Sequence, residues 1–317
     1  MNFKNPILKG HIAIFFADVI WGLNAPVSKA ALGHVSSLSL TTFRMTGAAL
    51  AFSIFSFFVS REKVATKDKV RLFFAALFGV VINQGFFVLG LSYTSPVNAA
   101  IVTTTLPIVT MIFAAMYLKE PITNKKVFGI LLGAIGAVIL IMGSGGGFSL
   151  TGSVKGDLFC LLAQISVAVY LTLFKDLFVR YSPVTVLTWM FCYASLCFLP
   201  VSWHDIIRIP YKSLPLNAYL EISFVVFAGT FIAYLGMMTA QKYLRPTVVS
   251  IYNYVQPVVA SIVAVLAGMD TFGPAKVAAV ILVFAGVYFV TQSKSRAQVE
   301  ALAAVRRDKD KDNSCPD

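Results

Sequence analysis

The 317-residue sequence predicts an all-α integral membrane protein, with ten transmembrane helices arranged as two inverted five-helix repeats. Three observations predict it. Hydrophobic residues make up 58% of the chain and charged residues 13%, against roughly 25% charge in an ordinary soluble domain. Apolar runs of about 20 residues, the length that crosses a bilayer core, recur from end to end. The chain also overlies itself at a shift of 150: Pro96 falls on Pro246, Ile101 on Ile251, Pro107 on Pro257, Glu120 on Asp270, Lys126 on Lys276 and Gly136 on Gly286. Between 96–140 and 246–290 no gap is needed, and ten of the 45 positions are identical.

In chain order the spans read 12–32, 38–59, 71–92, 97–118, 126–143, 157–176, 184–202, 217–241, 247–267 and 274–292. The ends of the sixth and eighth carry Asp157, Lys175, Asp176 and Glu221 and are the least apolar. The first two spans of each half match at a shift of 146, with Gly10 on Gly156, Lys29 on Lys175 and Ser36 on Ser182. The loop 203–215 accommodates the four extra residues of the second copy. The expected organisation is an N-terminal segment 1–11, a first repeat 12–143, a link 144–155 containing a glycine run, a second repeat 156–292 and a polar tail 293–317. Five spans per half is an odd number, so the second half enters the membrane in the opposite sense.

The net charge of +12 is not a nucleic-acid footprint, because the basic residues are spread over loops. With the N-terminus inside, twenty Lys and Arg fall on inner segments, from Lys4 and Arg61 to the tail. Four fall outside, namely Lys155, Arg208, Lys212 and Lys276, while Lys29 and Arg44 lie within spans. Cytoplasmic loops carry such an excess, so a cytoplasmic (inner-type) membrane with both termini in the cytoplasm is expected. Cys160, Cys192, Cys197 and Cys315 form no disulfide framework and read as small apolar fillers. Asp18 interrupts the first apolar run, which is too long for a cleaved signal.

Polarity sorts the helices. Span five has no side chain more polar than the backbone between Val127 and Met142, and span ten has only Tyr288 between Val277 and Val290. Both are rich in small residues, among them Gly129, Gly133, Gly136, Ala279 and Gly286, which let membrane helices approach closely. They read as supports facing lipid, or as a face for a homodimer, although a monomer suffices. The other eight hold polar groups, which at that depth face a bundle interior or a water-filled cavity.

Asp18, Trp21, Ala25 and Lys29 share one face of span one. Asp18 is a proton-coupling candidate or a structural partner of a neighbouring helix. Lys29 is an anchor for a substrate carboxylate or phosphate, or a cation reaching the outer interface. Arg44 either binds an anionic group or satisfies helix-end carbonyls. Pro107 and Pro257 occupy matched centres of spans four and nine, where a proline frees a carbonyl and serves as hinge or kink. Tyr252-Asn253-Tyr254-Val255-Gln256 is the most polar and aromatic intramembrane stretch. It reads as cavity lining or interhelical hydrogen bonding. The expected substrate-binding set is Trp21, Asn24, Lys29, Arg44, Asn83, Thr103, Tyr252, Asn253 and Gln256.

There is no G-x-x-x-x-G-K-[ST] loop, H-E-x-x-H motif or Cys/His cluster, so neither an enzyme nor a bound metal or cofactor is expected. From 12 to 292 the chain resembles the EamA-type drug/metabolite transporter superfamily. Trp21-Gly22-x-Asn24 with Lys29, Arg44, Tyr93-Thr94-Ser95, Pro107 and Leu118-Lys119-Glu120-Pro121-Ile122 carry the resemblance in the first copy. Tyr243-Leu244-Arg245-Pro246, Pro257 and Gly268-Met269-Asp270 carry it in the second. Departures fall at Asp270, where the family usually has Glu, and at Met190, which matches Arg44. The resemblance implies ten helices in inverted repeats and export or exchange of small metabolites such as amino acids. The expectation is a secondary permease for a small-molecule substrate in the lipid bilayer, working by alternating access. The rival is a channel, scaffold or sensory subunit without saturable transport.

Overall fold

The computed structural model describes residues 5–59, 62–91, 93–94, 96–143, 154–266, 268, 271, 273–296 and 298–301. Lys4, Arg61, Ser95, the glycine run of the link, Met269, Asp270 and the tail from 302 with Cys315 lie outside them, as do the side chains of Ala25 and Pro96.

Among the described residues, ten helices are long and apolar enough to cross a membrane: Pro6–Ala31, Ser37–Ser56, Thr66–Gly90, Asn98–Leu118, Asn124–Gly143, Val154–Leu173, Pro183–Ile207, Leu216–Tyr243, Pro246–Leu266 and Pro274–Thr291. Their starts follow local chemistry. Asn5 accepts from the Ile7 N–H (3.0 Å), and Pro6 opens span one. The matched Ser36 and Ser182 cap spans two and seven, accepting from Ser39 N–H (3.1 Å) and Thr185 N–H (3.2 Å). Such oxygens satisfy N–H groups that the first turn leaves without partners.

Spans one and three start six and five residues earlier than expected and span seven runs five residues further, and the sixth span differs in kind. Span six ends at Leu173, and Lys175–Arg180 is a separate short helix. There Lys175 donates to the Leu244 carbonyl (2.8 Å) and Asp176 accepts both guanidinium nitrogens of Arg71 (2.7 Å each). Charges with partners of this kind fit a surface turn better than a membrane span, which is why the helix ends before them.

Links sort onto two faces. The N-terminal face carries the chain's first helix start and the 2–3, 4–5, 6–7 and 8–9 links, which contact one another. On the opposite face Ser36 of the 1–2 link meets Asp205, and Thr94 of the 3–4 link meets Asp157. Contacts also map onto themselves when the halves are exchanged: span one packs on eight as six packs on three, and on nine as six packs on four. Two pairs of matched spans, five with ten and two with seven, sit at the two ends of the bundle.

The five–ten seam has the closest approach. A Cβ on Gly129 would meet the Gly286 carbonyl at 2.7 Å, and one on Gly286 would meet the Gly129 carbonyl at 2.6 Å. The small-residue faces therefore meet each other within one chain. What these spans turn outward is bulky and apolar: Leu131, Ile135, Ile281 and Tyr288 are all exposed.

Four matched helices are interrupted. Spans three and eight each contain one wide π turn, Leu77–Ile82 and Phe227–Ile232, again 150 residues apart. Spans four and nine each break where a proline forbids continuity. Pro107 is the second residue of the restarted helix Leu106–Leu118. Pro257 is the third of Val255–Leu266, after the 3₁₀ turn Tyr252–Tyr254. A proline lacks the N–H and clashes with the carbonyl four residues back, here that of Thr103 or Asn253. The expected mid-helix kinks are thus helix restarts. The breaks meet at matched positions, with Tyr254 donating its hydroxyl to the Thr104 carbonyl at 2.8 Å.

Candidate functional site

The interrupted helices bring polar groups together in the middle of the bundle. On span nine, Gln256 donates through Nε2 to Asp18 Oδ1 of span one and to Asn253 Oδ1, both at 2.7 Å. Gly22 permits this closeness, since a Cβ there would meet Val259 at 2.6 Å and the Gln256 carbonyl at 3.0 Å. Asp18 is 1% exposed, and its Oδ2 has no hydrogen-bond partner among the described residues. One step nearer the N-terminal face, His11 Nδ1 and the Tyr252 hydroxyl are 3.0 Å apart.

Farther along span one, Trp21 Nε1 donates to the Gly229 carbonyl at 2.9 Å, and its ring meets Tyr234 edge-on at 5.6 Å. Gly229 lies in the π turn of span eight, and a Cβ there would collide with Asn24 Oδ1. The matched glycine of span three, Gly79, faces Tyr170, 2.5 Å from where its Cβ would be. Positions 24 and 170 are equivalent at the 146 shift, so both halves use one wedge, filled once by an amide and once by a ring. Widened turns also offer carbonyls to neighbours: Ser166 donates to the Phe78 carbonyl at 2.5 Å, as Trp21 does to that of Gly229. Single π turns of this kind recur at functional sites.

Beyond Gly229 the polar belt continues. Arg44 Nε donates to Thr230 Oγ1 (3.0 Å), and Nη1 approaches Gln84 Oε1 at 3.4 Å. Gln84 donates to Asn83 Oδ1 (3.2 Å), and Asn83 donates to the Ala163 carbonyl of span six (3.1 Å). Asp18–Gln256, Trp21–Gly229, Arg44–Thr230 and Asn83–Ala163 each join one half to the other.

Of the expected site residues, the structure gathers Asp18, Trp21, Asn24, Arg44, Asn83, Asn253 and Gln256 into this belt, with Tyr252 at its edge on His11. Two stand apart. Lys29 is exposed in the last turn of span one and makes no ion pair among the described residues. Thr103 bonds the Ala100 carbonyl of its own helix at 2.6 Å. Sequence reasoning did not place Gly229, Thr230, Gln84 or Tyr234 in the site. Extending the 150 shift over 77–82 and 227–232 would have marked Gly79 with Gly229 and Ile82 with Ile232 as identical pairs.

Ten candidate spans, matched breaks and a polar joint describe a multi-pass membrane protein built from two matched halves. The profile of the EamA-like transporter family matches residues 8–142 and 154–292, and the chain belongs to that family. An uncharacterized transporter of Archaeoglobus fulgidus is 25% identical over 289 residues, covering 90% of this chain and all of the relative. The uncharacterized transporter YyaM of Bacillus subtilis is 25% identical, covering 81% and 86% of the two chains. Protein WALLS ARE THIN 1 of Arabidopsis thaliana is 30% identical over 148 residues, covering 44% and 38%. A solved crystal structure at 19% identity overlays with a TM-score of 0.75, covering 89% of this chain and 96% of the other, which speaks to the fold.

Proposed function

We propose that this transporter is a secondary carrier for a small polar or amphipathic metabolite. It works by alternating access between two oppositely inserted halves in the cytoplasmic membrane, with both termini in the cytoplasm. One observation carries the reading: the central hydrogen bonds run between the halves, so rocking one half against the other makes and breaks them together. Carriers built from inverted repeats place substrate at such a joint, near broken helices. Trp21, Asn24, Asn253 and Gln256 form the substrate surface, and Pro107 and Pro257 mark the hinges. Asp18 is the proton-coupling group. Its ionised form would sit among amides with no cation paired to it among the described residues, so it gives up its proton only when opening admits water. The excess of basic residues on the N-terminal face supports the cytoplasmic placement.

The test is counterflow in proteoliposomes loaded with amino acids or other small metabolites. A carrier exchanges labelled for unlabelled substrate and saturates. Gln256→Ala and Asn253→Ala should lower that exchange at least tenfold while the protein still inserts and elutes as one species. Unsaturable flux without counterflow would mean a channel, and unimpaired exchange in both variants would remove span nine from the site.

A further inference from the structure

We infer that Arg44 is the docking point for an oxyanion on the substrate, a carboxylate or a phosphate, which makes the transported molecule an organic anion or zwitterion. This rests on the carrier reading above and narrows its substrate class.

The first argument is an inventory of hydrogen bonds. A guanidinium carries five N–H donors in a planar fork. Arg44 uses one on Nε, toward Thr230, and one on Nη1, toward Gln84 at the long distance of 3.4 Å. Three remain, one on Nη1 and both on Nη2, without an acceptor among the described residues. The two on Nη2 lie on different edges of the fork, and the edge between Nη1 and Nη2 is the one that can grip an oxyanion with two parallel bonds. No Asp or Glu pairs with Arg44 among the described residues.

Depth is the second argument. Asn24, Arg44 and Gln84 each lie seven residues from the same-face end of their helices, which are Ala31, Ser37 and Leu91. At 1.5 Å per residue that is about 10 Å inside, too deep for the side chain to cap a helix end, and its bonds go to side chains instead. A cation held there without a counter-charge is costly and marks a functional position.

Third, the repeat supplies its own control. The position matched to Arg44 in the second half is Met190, which is fully buried in the apolar core. The fold therefore packs this position with an uncharged side chain, and the charge of Arg44 serves something other than packing. Around it, Gln84 and Tyr234 are themselves a matched pair at the 150 shift, with Tyr234 close to both Arg44 and Gln84. Trp21 and Asn24 hold Gly229, and Arg44 holds the next residue, Thr230. An anion on Arg44 thus reports directly to the π turn of span eight and to the joint between the halves. Lys29, the other expected anchor, is exposed and sits one and a half turns nearer the surface, so it serves at most as an entry charge.

The test measures binding to the purified full chain in nanodiscs by calorimetry, independently of transport. The probes are phenylacetate, L-phenylalanine and phenyl phosphate, with phenylacetamide as the uncharged counterpart and inorganic phosphate as the bare ion. The expected result is that at least one organic oxyanion binds tenfold or more tightly than phenylacetamide. Arg44→Gln should abolish that preference without weakening phenylacetamide binding, and Arg44→Lys should retain part of it. Preference for phenyl phosphate over the carboxylates, or the reverse, identifies the headgroup. Equal binding of the anions and the amide, no binding of any oxyanion, or a preference that survives Arg44→Gln would each overturn the assignment. If Arg44→Gln does not fold, a reduced preference in a folded Arg44→Lys chain decides for it and an unchanged preference decides against it. A preference abolished in Arg44→Gln in a chain that shows no counterflow would sink the carrier reading and leave the anion site standing.

Discussion

The two faces of the bundle are closed by equivalent segments of the repeat, yet they are closed differently. On the N-terminal face Asp68 accepts from Arg180 and from the Tyr181 hydroxyl, each at 2.7 Å. Arg71 forks onto Asp176, and Glu62 accepts from the backbone N–H of Ser182 at 2.7 Å. Deeper in, Glu120 accepts from Lys126 (3.0 Å) and from Thr247 of the other half (2.9 Å). On the opposite face, among the described residues, Ser36 donates to Asp205 (2.9 Å), Thr94 donates to Asp157 (2.6 Å) and His34 approaches Glu221 loosely (3.9 Å). Beside them lies a hollow of about 480 Å³ lined by Gly33, His34, Ser36, Asp205 and Arg208. A duplicated chain can place the same backbone on both faces, but it needs different side chains to make one face the firmer.

The largest expected effect tests the firm face at its buried point. Lys126 is 1% exposed, and Glu120 is its only acidic partner among the described residues. Glu120→Ala leaves that ammonium buried without a counter-charge, a loss of about 3–5 kcal/mol. It should be read as a sharp fall in thermal stability and surface expression; a variant as stable as the parent would show that the pair holds nothing.

Asp68→Ala comes next. It takes the acceptor from Arg180 and Tyr181 at once, a change of about 1–3 kcal/mol for a buried charge-assisted acceptor. The expected readout is functional: a cysteine placed at Thr185, under the clasp, should react with a water-soluble maleimide several-fold faster from the N-terminal side. Unchanged labelling would mean that the N-terminal face is shut by something else.

The smallest effect belongs to the looser face. Ser36→Ala removes the bond to Asp205 and a helix cap together, worth about 1 kcal/mol. It should shift the midpoint of unfolding by a few degrees and leave labelling from the N-terminal side unaltered. If it matched Asp68→Ala in either readout, the two faces would be equally firm after all.

How much of this was legible in the sequence varies by residue. Span limits follow from apolar length and local caps: Ser36 and Ser182 cap spans two and seven, and Pro274 opens span ten. Pro107 and Pro257 announced their breaks, because a missing N–H acts on its own helix. The partner of a polar group is a different matter. Gln256 reaches Asp18 across 238 positions and Arg44 reaches Thr230 across 186, and no periodicity encodes such pairs. Thr103 looked like site lining because its type suits the role, yet its hydroxyl turns back on its own helix. Lys29 shares a helix face with Trp21 but lies past the depth where that face is covered. The π turns left two faint marks, an isoleucine and a glycine each repeated 150 residues apart, and the glycine has meaning only once the ring or amide wedged against it is known.

The glycine seam between spans five and ten has a mechanical consequence. At its glycines backbone rests on backbone, so in the proposed alternating-access cycle that edge would act as the spine of a book. The covers are the two halves, and spans two and seven are the fore-edge, touching through the stacked rings of Phe52 and Phe191 (5.6 Å) and a hydrogen bond from Thr42 to Ser202 (2.8 Å). Spin labels at Leu131 and Ile281 should keep their separation through a transport cycle, while labels at Leu50 and Leu196 change theirs. With such a spine, the proposed rocking would open widest at the far edge, beside spans two and seven.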